Sequence, residues 1–154
     1  MSIVETHRAV PAAGLAELLL FRVGGEFFGI PLAHAEEAVE SLAREPLPGM
    51  PPGMLGVAAY RGSPLPVYAA RPVLGAAAAG DGVTLVVRGA GGRVGVVVDD
   101  VEDVIVTDLS ALRPLPGPVA STDPVLLGVI RRGTELVAVC DPDALVRAVR
   151  GVRA

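Results

Sequence analysis

The chain has 154 residues, 51% of them hydrophobic and only 3% aromatic, with no Trp and a formal net charge of −4. That length suits one domain whose interior needs no staple, with a core built from Val, Leu, Ile and Ala. Its single cysteine, Cys140, excludes an intramolecular disulfide framework and a multi-cysteine metal site, and an acidic chain without a basic block makes nucleic acid an unsuitable ligand.

Charged residues amount to 19% and mean hydropathy is +0.55, which suggests apolar faces meant for partners. The start, MSIVETHRAVPAAGLAEL, carries Glu5 and Glu17 and lacks a basic flank followed by an apolar run, so no secretory signal is expected. The longest uncharged stretch, 46–60, holds Pro46, Pro48, Pro51 and Pro52 and is unsuited to a membrane span. The expected location is the cytoplasm, without membrane insertion.

In chain order, residues 1–14 lack periodicity and read as a flexible tail. LLLFRV and FFGIPL flank Gly24-Gly25, so 18–32 reads as a β-hairpin. The segment 33–42 has room for a few helical turns. VTLVV (83–87) and RVGVVV (93–98), joined by a glycine-rich connection, read as a second hairpin. Asp99, Asp100, Glu102 and Asp103 follow among valines, a strand running into a bend with its charges in water; the spacing does not fit a calcium loop. A last helix is expected over 143–150, capped by Asp141 or Asp143.

Five landmarks recur in order. Gly24-Gly25, the acidic run 36–40, Leu47-Pro48-Gly49, Gly56-Val57 and Arg61-Gly62 with Leu65 are matched by later counterparts. These are Gly91-Gly92, the acidic run 99–103, Leu115-Pro116-Gly117, Gly128-Val129 and Arg132-Gly133 with Leu136. Any one match is ordinary turn chemistry. Five at a near-constant offset predict two subdomains of similar topology, each a small closed or nearly closed barrel.

The segment 47–75, LPGMPPGMLGVAAYRGSPLPVYAARPVLG, resembles the CheW family at Leu47, Pro48, Pro51, Gly56, Val57, Arg61, Gly62, Leu65, Pro66, Val67, Arg71, Leu74 and Gly75. GVVVDDVEDV (95–104) is a second match, and the resemblance runs over about 18–147. It implies a mostly β fold of two SH3-like five-stranded β-barrels packed together, with one or two short helices. Residues 15–150 would form a single CheW-like domain of two pseudo-repeated subdomains, divided near 75–82, with strands free to exchange. It further implies a non-enzymatic adaptor, without cofactor or metal, that couples a chemoreceptor cytoplasmic tip to the regulatory domain of a CheA-type histidine kinase in membrane-associated arrays. Two positions depart from the family pattern: Ala59 and Ala69 stand where Asn and Asp are usual, and neither can bond to backbone through its side chain. A divergent scaffold for a non-chemotactic array, controlling motility or gene expression, is the alternative.

By the resemblance, Arg61 sits at the junction of the barrels and pairs with Glu37. Ala35, Val39, Val57 and Leu65 would form an apolar groove for a helical receptor tip, with Gly62 turning the chain beside Arg61. Glu36 and Glu40 read as the wet side of their segment. The kinase surface is expected on the second subdomain. Cys140 in LVAVC reads as a small buried hydrophobe. His7 and His34 have no companion ligands nearby, and the glycine-rich run before Arg93 lacks the Lys-Ser/Thr of a phosphate loop. An enzyme or ligand binder using the acidic cluster with Arg93 or Arg113 lacks a base paired with a nucleophile.

Overall fold

The computed structural model describes residues 14–78, 82–89, 91–115 and 125–151. The tail expected at the N-terminus therefore lies almost wholly outside the described residues, as do Pro116 and Gly117 of the second Leu-Pro-Gly.

Among the described residues, ten strands form two five-stranded sheets. They are β1 (Leu15–Val23), β2 (Glu26–Pro31), β3 (Ala35–Glu40), β4 (Met54–Tyr60), β5 (Ser63–Ala69), β6 (Val83–Gly89), β7 (Gly92–Val98), β8 (Asp100–Asp108), β9 (Leu126–Arg132) and β10 (Glu135–Cys140). Sheet I has the order β8-β1-β2-β10-β9 and sheet II the order β3-β6-β7-β5-β4. The two orders are equivalent: each is built on a hairpin, flanked by one antiparallel strand and by a pair that joins in parallel. The hairpins are exchanged. β1 and β2 from the first half complete the sheet of β8–β10, while β6 and β7 complete the sheet of β3–β5.

Exchange explains why the hairpin sequences run almost continuously apolar rather than alternating. Strands buried on both faces need no polar positions. Leu18 and Leu20 point into the interior of sheet I with Leu109, Ile130, Val137 and Val139. Phe21, Val23, Phe28 and Ile30 point the other way, into a shared core with Leu85, Val87, Val94, Val96 and Val98 of sheet II. Phe21 and Phe28 stack across β1 and β2 with ring centroids 5.7 Å apart. The opposite faces of β6 and β7 meet Ala58, Tyr60, Leu65 and Val67 inside sheet II. Cys140 is buried in the shared core, and that burial, with Asp141 beside it, pushes its thiol up to about 12.

Neither sheet closes its hydrogen bonding fully into a ring, so of the closed or nearly closed barrels expected the nearly closed form is found. The open seam of each is crossed by the chain leaving its outer strand. Glu45 and Val57 exchange backbone bonds of 3.0 and 2.9 Å across the seam of sheet II, and Arg113 and Val129 exchange bonds of 2.9 and 2.8 Å across that of sheet I. The repeated Gly-Val belongs to this contact. A Cβ on Gly56 would lie 2.8 Å from the Glu45 carbonyl oxygen, and one on Gly128 would collide with that of Arg113. Only glycine lets the crossing segment come so near.

The helical expectation over 33–42 is corrected. Leu32–His34 makes one 3-10 turn, and Ala35–Glu40 is strand β3, because pairing with β6 outweighs the helix preference of Ala and Glu. Helix α1 (Arg71–Leu74) is a single turn closed by Gly75 in the left-handed region, φ 78°. The final helix is present as α2 (Pro142–Arg150), and Asp141 caps it by accepting from the backbone N–H of Asp143 at 3.0 Å. Its apolar face, Leu145, Val146 and Val149, seals the shared core.

Candidate functional site

The turn from β4 to β5 has two residues, Arg61 and Gly62, with Tyr60 and Ser63 paired on either side. Both have positive φ, 51° and 78°, the geometry that two-residue hairpin loops use to match strand twist. Arg61 therefore occupies a backbone state that glycine or asparagine fills more easily. The turn aims its side chain along the rim of sheet II toward β3, where Glu37 accepts a hydrogen bond from it at 3.2 Å.

The pair sits within a larger network centred on Glu36. Strand β3 carries a bulge between Ala35 and Glu37, and Glu36 is the residue left without a β6 partner. Bulges re-aim side chains. This one turns Glu36 inward until its side chain is 10% exposed, with Arg88 at 3.0 Å, Arg93 at 3.1 Å and Arg61 at 3.7 Å. Arg88 and Arg93 stand directly opposite each other on β6 and β7. Like charges in that position repel, and the carboxylate between them offsets the repulsion. Beneath, the Nδ1 of buried His34 lies 2.7 Å from the Arg88 carbonyl oxygen.

Tyr60 ties the network together. Its hydroxyl lies 2.7 Å from one Glu37 oxygen and 3.2 Å from one of Glu36, both acceptors. The guanidiniums of Arg61 and Arg93 each sit 5.4 Å from its ring centroid, within range of a cation–π attraction. Burial, then its bond to Glu37 and the charge of Glu36, push the hydroxyl up to about 12. Burial works on Glu36 in the unfavourable sense, but bonds from Arg88 and Tyr60 and the arginine charges outweigh it, holding the carboxyl below its ordinary range. At neutral pH Glu36 is ionised and Tyr60 keeps its proton.

The structure brings together Arg61, Gly62 and Glu37 of the expected set. Ala35 and Val39 are half-buried on β3, packed against the shared core and the sheet II interior respectively, and Val57 is half-buried on β4 at the seam. Leu65 is 1% exposed inside sheet II and so supports this region from beneath rather than lining it. Glu36 corrects the sequence reading most sharply: it is the nearly buried centre of the network, not its wet side. Arg88, Arg93 and Tyr60 were not singled out as partners. The usable signal was the pair of arginines flanking a tight hairpin turn, which places both at one strand end.

The acidic run after β7 behaves differently. Asp99 accepts from the Gly24 N–H at 2.7 Å and so holds the first hairpin turn, while Asp103 accepts from the N–H of Val104 at 2.7 Å. Asp100 pairs with Arg22 at 2.7 Å, and Glu102 lies 3.8 Å from the same arginine. Arg93 is committed to Glu36, and Arg113 acts through its backbone at the seam, so neither joins the run as an enzyme reading requires. A depression of about 490 Å³ opens beside the seam of sheet II, lined by Ser41, Leu42, Ala43, Arg44, Pro46 and Leu55 and by no carboxylate.

The model of the CheW-like domain matches residues 17–150. The chain belongs to the CheW-like domain family. The crystal structure of the scaffolding protein TtCheW from Thermoanaerobacter tengcongensis superposes with a TM-score of 0.71 at 23% identity, covering 82% of this chain and 89% of that one. At that identity the likeness speaks for the fold, and the exchanged pair of five-stranded sheets is thereby the CheW fold. No curated protein matches the sequence. Among the described residues, no helix of this CheW-like chain is long and apolar enough to cross a membrane.

Proposed function

We propose that this chain is a non-enzymatic adaptor of chemotaxis signalling that couples a chemoreceptor tip to the regulatory domain of a CheA-type kinase. The observation that carries the reading is the shared core. Side chains from both sheets meet in one apolar cluster, so surfaces on the two sheets belong to one rigid body. Such a body transmits displacement of one partner to the other without chemistry. The receptor side is the rim of sheet II, formed by Ala35, Glu37 and Val39 on β3, Val57 on β4 and the Arg61-Gly62 turn. The kinase side is sheet I, where the register of β1 and β8 puts exposed Leu15, Val104 and Val106 on one face. The adaptor works in the cytoplasm, recruited to receptor arrays.

A second reading, a divergent scaffold for another kind of array, is favoured by the two alanines. Ala59 is exposed on β4, and Ala69, whose backbone N–H donates to the Gly53 carbonyl at 2.8 Å, has no polar side-chain atom to add to that contact. Calorimetric titration of the chain with a receptor-tip helical hairpin, and separately with a kinase regulatory domain, distinguishes the two. Binding to both supports the coupling role, kinase binding alone supports the second reading, and binding to neither refutes both.

A further inference from the structure

The network around Glu36 sorts charge by depth. The carboxylate is nearly buried, whereas the side chains of Arg61 and Arg88 are 61% and 63% exposed. A partner approaching this rim meets guanidinium groups first. Three arginines against Glu36 and Glu37 leave one positive charge here, on a chain whose net charge is −4.

The fold supplies its own comparison. By strand register, Glu102 is the bulged residue of β8 as Glu36 is of β3, Asp103 matches Glu37, and Arg22 matches Arg88. At the other two arginine positions, sheet I has Phe27 in place of Arg93 and Gly133 in place of Arg61. Its rim is left acidic: among the described residues Arg22 pairs with both Asp100 and Glu102, and the neighbouring Asp100 carboxylate, then burial, raises the pKa of Glu102. The same architecture thus forms with one arginine at these three positions, Arg132 standing in register with Tyr60. Closing the fold does not call for three.

We infer that Arg61 and Arg88 form a docking face for a carboxylate-bearing segment of a helical partner, with Arg93 and Tyr60 as positioning residues that hold Glu36 behind them. Each guanidinium has five N–H donors in a fixed fork. Glu36 and Glu37 take one or two from each, and with the side chains 61% and 63% exposed the remaining donors are accessible to a partner carboxylate. The inference deepens the receptor-side reading given above and rests on it. Arg88 stands outside the residues that the family pattern supplies and adds a charge contact to them.

The test is titration of the full chain with the receptor-tip hairpin at about 0.1 M and about 1 M salt, between which the screening length falls from roughly 10 to 3 Å. Wild type, Arg88→Gln and Arg88→Lys are compared, with a thermal melt of each. The expected result is roughly three- to tenfold weaker binding for Arg88→Gln at low salt, little difference at high salt, an intermediate loss for Arg88→Lys, which keeps the charge but not the fork, and melts that stay single and cooperative, with only a small lowering from the lost bond to Glu36. Wild-type binding indifferent to salt and to Arg88→Gln overturns the docking face while leaving the receptor reading intact. Binding weakened equally at both salts, with loss of the cooperative melt for Arg88→Gln, overturns it in favour of a structural role. Absence of wild-type binding at both salts refutes the receptor reading and this inference together.

Discussion

Arg61 and Leu65 lie four residues apart, and the fold gives them opposite roles. Leu65 fills the interior of sheet II, so Leu65→Ala should cost about 2–5 kcal/mol of stability in urea titration. Arg61 is mostly exposed, and a pair of that kind is worth about 0–1 kcal/mol. Because Arg61 has φ 51°, Arg61→Asn removes the charge while keeping a residue suited to the turn. It should change stability by less than about 1 kcal/mol and weaken partner binding; a large drop in the unfolding midpoint would make Arg61 structural. Glu36 falls between these cases, and Glu36→Gln should cost about 2–3 kcal/mol at neutral pH, since hydrogen bonds to charged groups are lost inside the rim. Its folded pKa lies below its unfolded one, so the stabilisation is complete above the unfolded carboxyl value and is lost as pH falls through the lowered folded value. The gap between wild type and Glu36→Gln should accordingly narrow in acid, and a gap constant between neutral pH and about pH 3 would contradict the ionised assignment. The Arg61–Glu37 pair was legible only through the family resemblance. Burial of Glu36 was not legible at all, because a bulge is a property of two strands and leaves no mark on one.

At the scale of elements, the glycines separate two kinds of constraint. A Cβ at Gly62 would meet open space, and the penalty for Gly62→Ala is the positive φ alone, about 1–2 kcal/mol. Gly56→Ala drives a methyl into the Glu45 carbonyl and breaks the seam. It should be the more destabilising of the two in parallel denaturation curves, and equal losses would mean that the seam contributes nothing. The hairpins and α2 could be read directly, since glycine turns, β-branched runs and an Asp cap are local signals. Strand β3 could not, because its Ala and Glu favour helix and only β6 makes it extended. The repeat was legible in outline but slipped by one residue near the fourth turn. Register places Gly133, not Arg132, opposite Arg61 in the pseudo-symmetry, and buried Val137 rather than exposed Leu136 opposite Leu65.

For the whole molecule, hairpin exchange makes each half dependent on the other. Residues 15–78 supply β3–β5 but not β6 and β7, and β1 and β2 would face no partner strands. That fragment should show no cooperative thermal transition by circular dichroism, whereas the full chain should melt in a single step. A folded fragment would show that the exchange is dispensable. The same interlocking joins the rim of sheet II to the exposed face of sheet I through one core, and on that union the adaptor role rests. Sedimentation velocity on a mixture of the chain, the receptor-tip hairpin and the kinase regulatory domain tests it most directly. The account predicts one species containing all three, heavier than either binary complex; displacement of one partner by the other would contradict it.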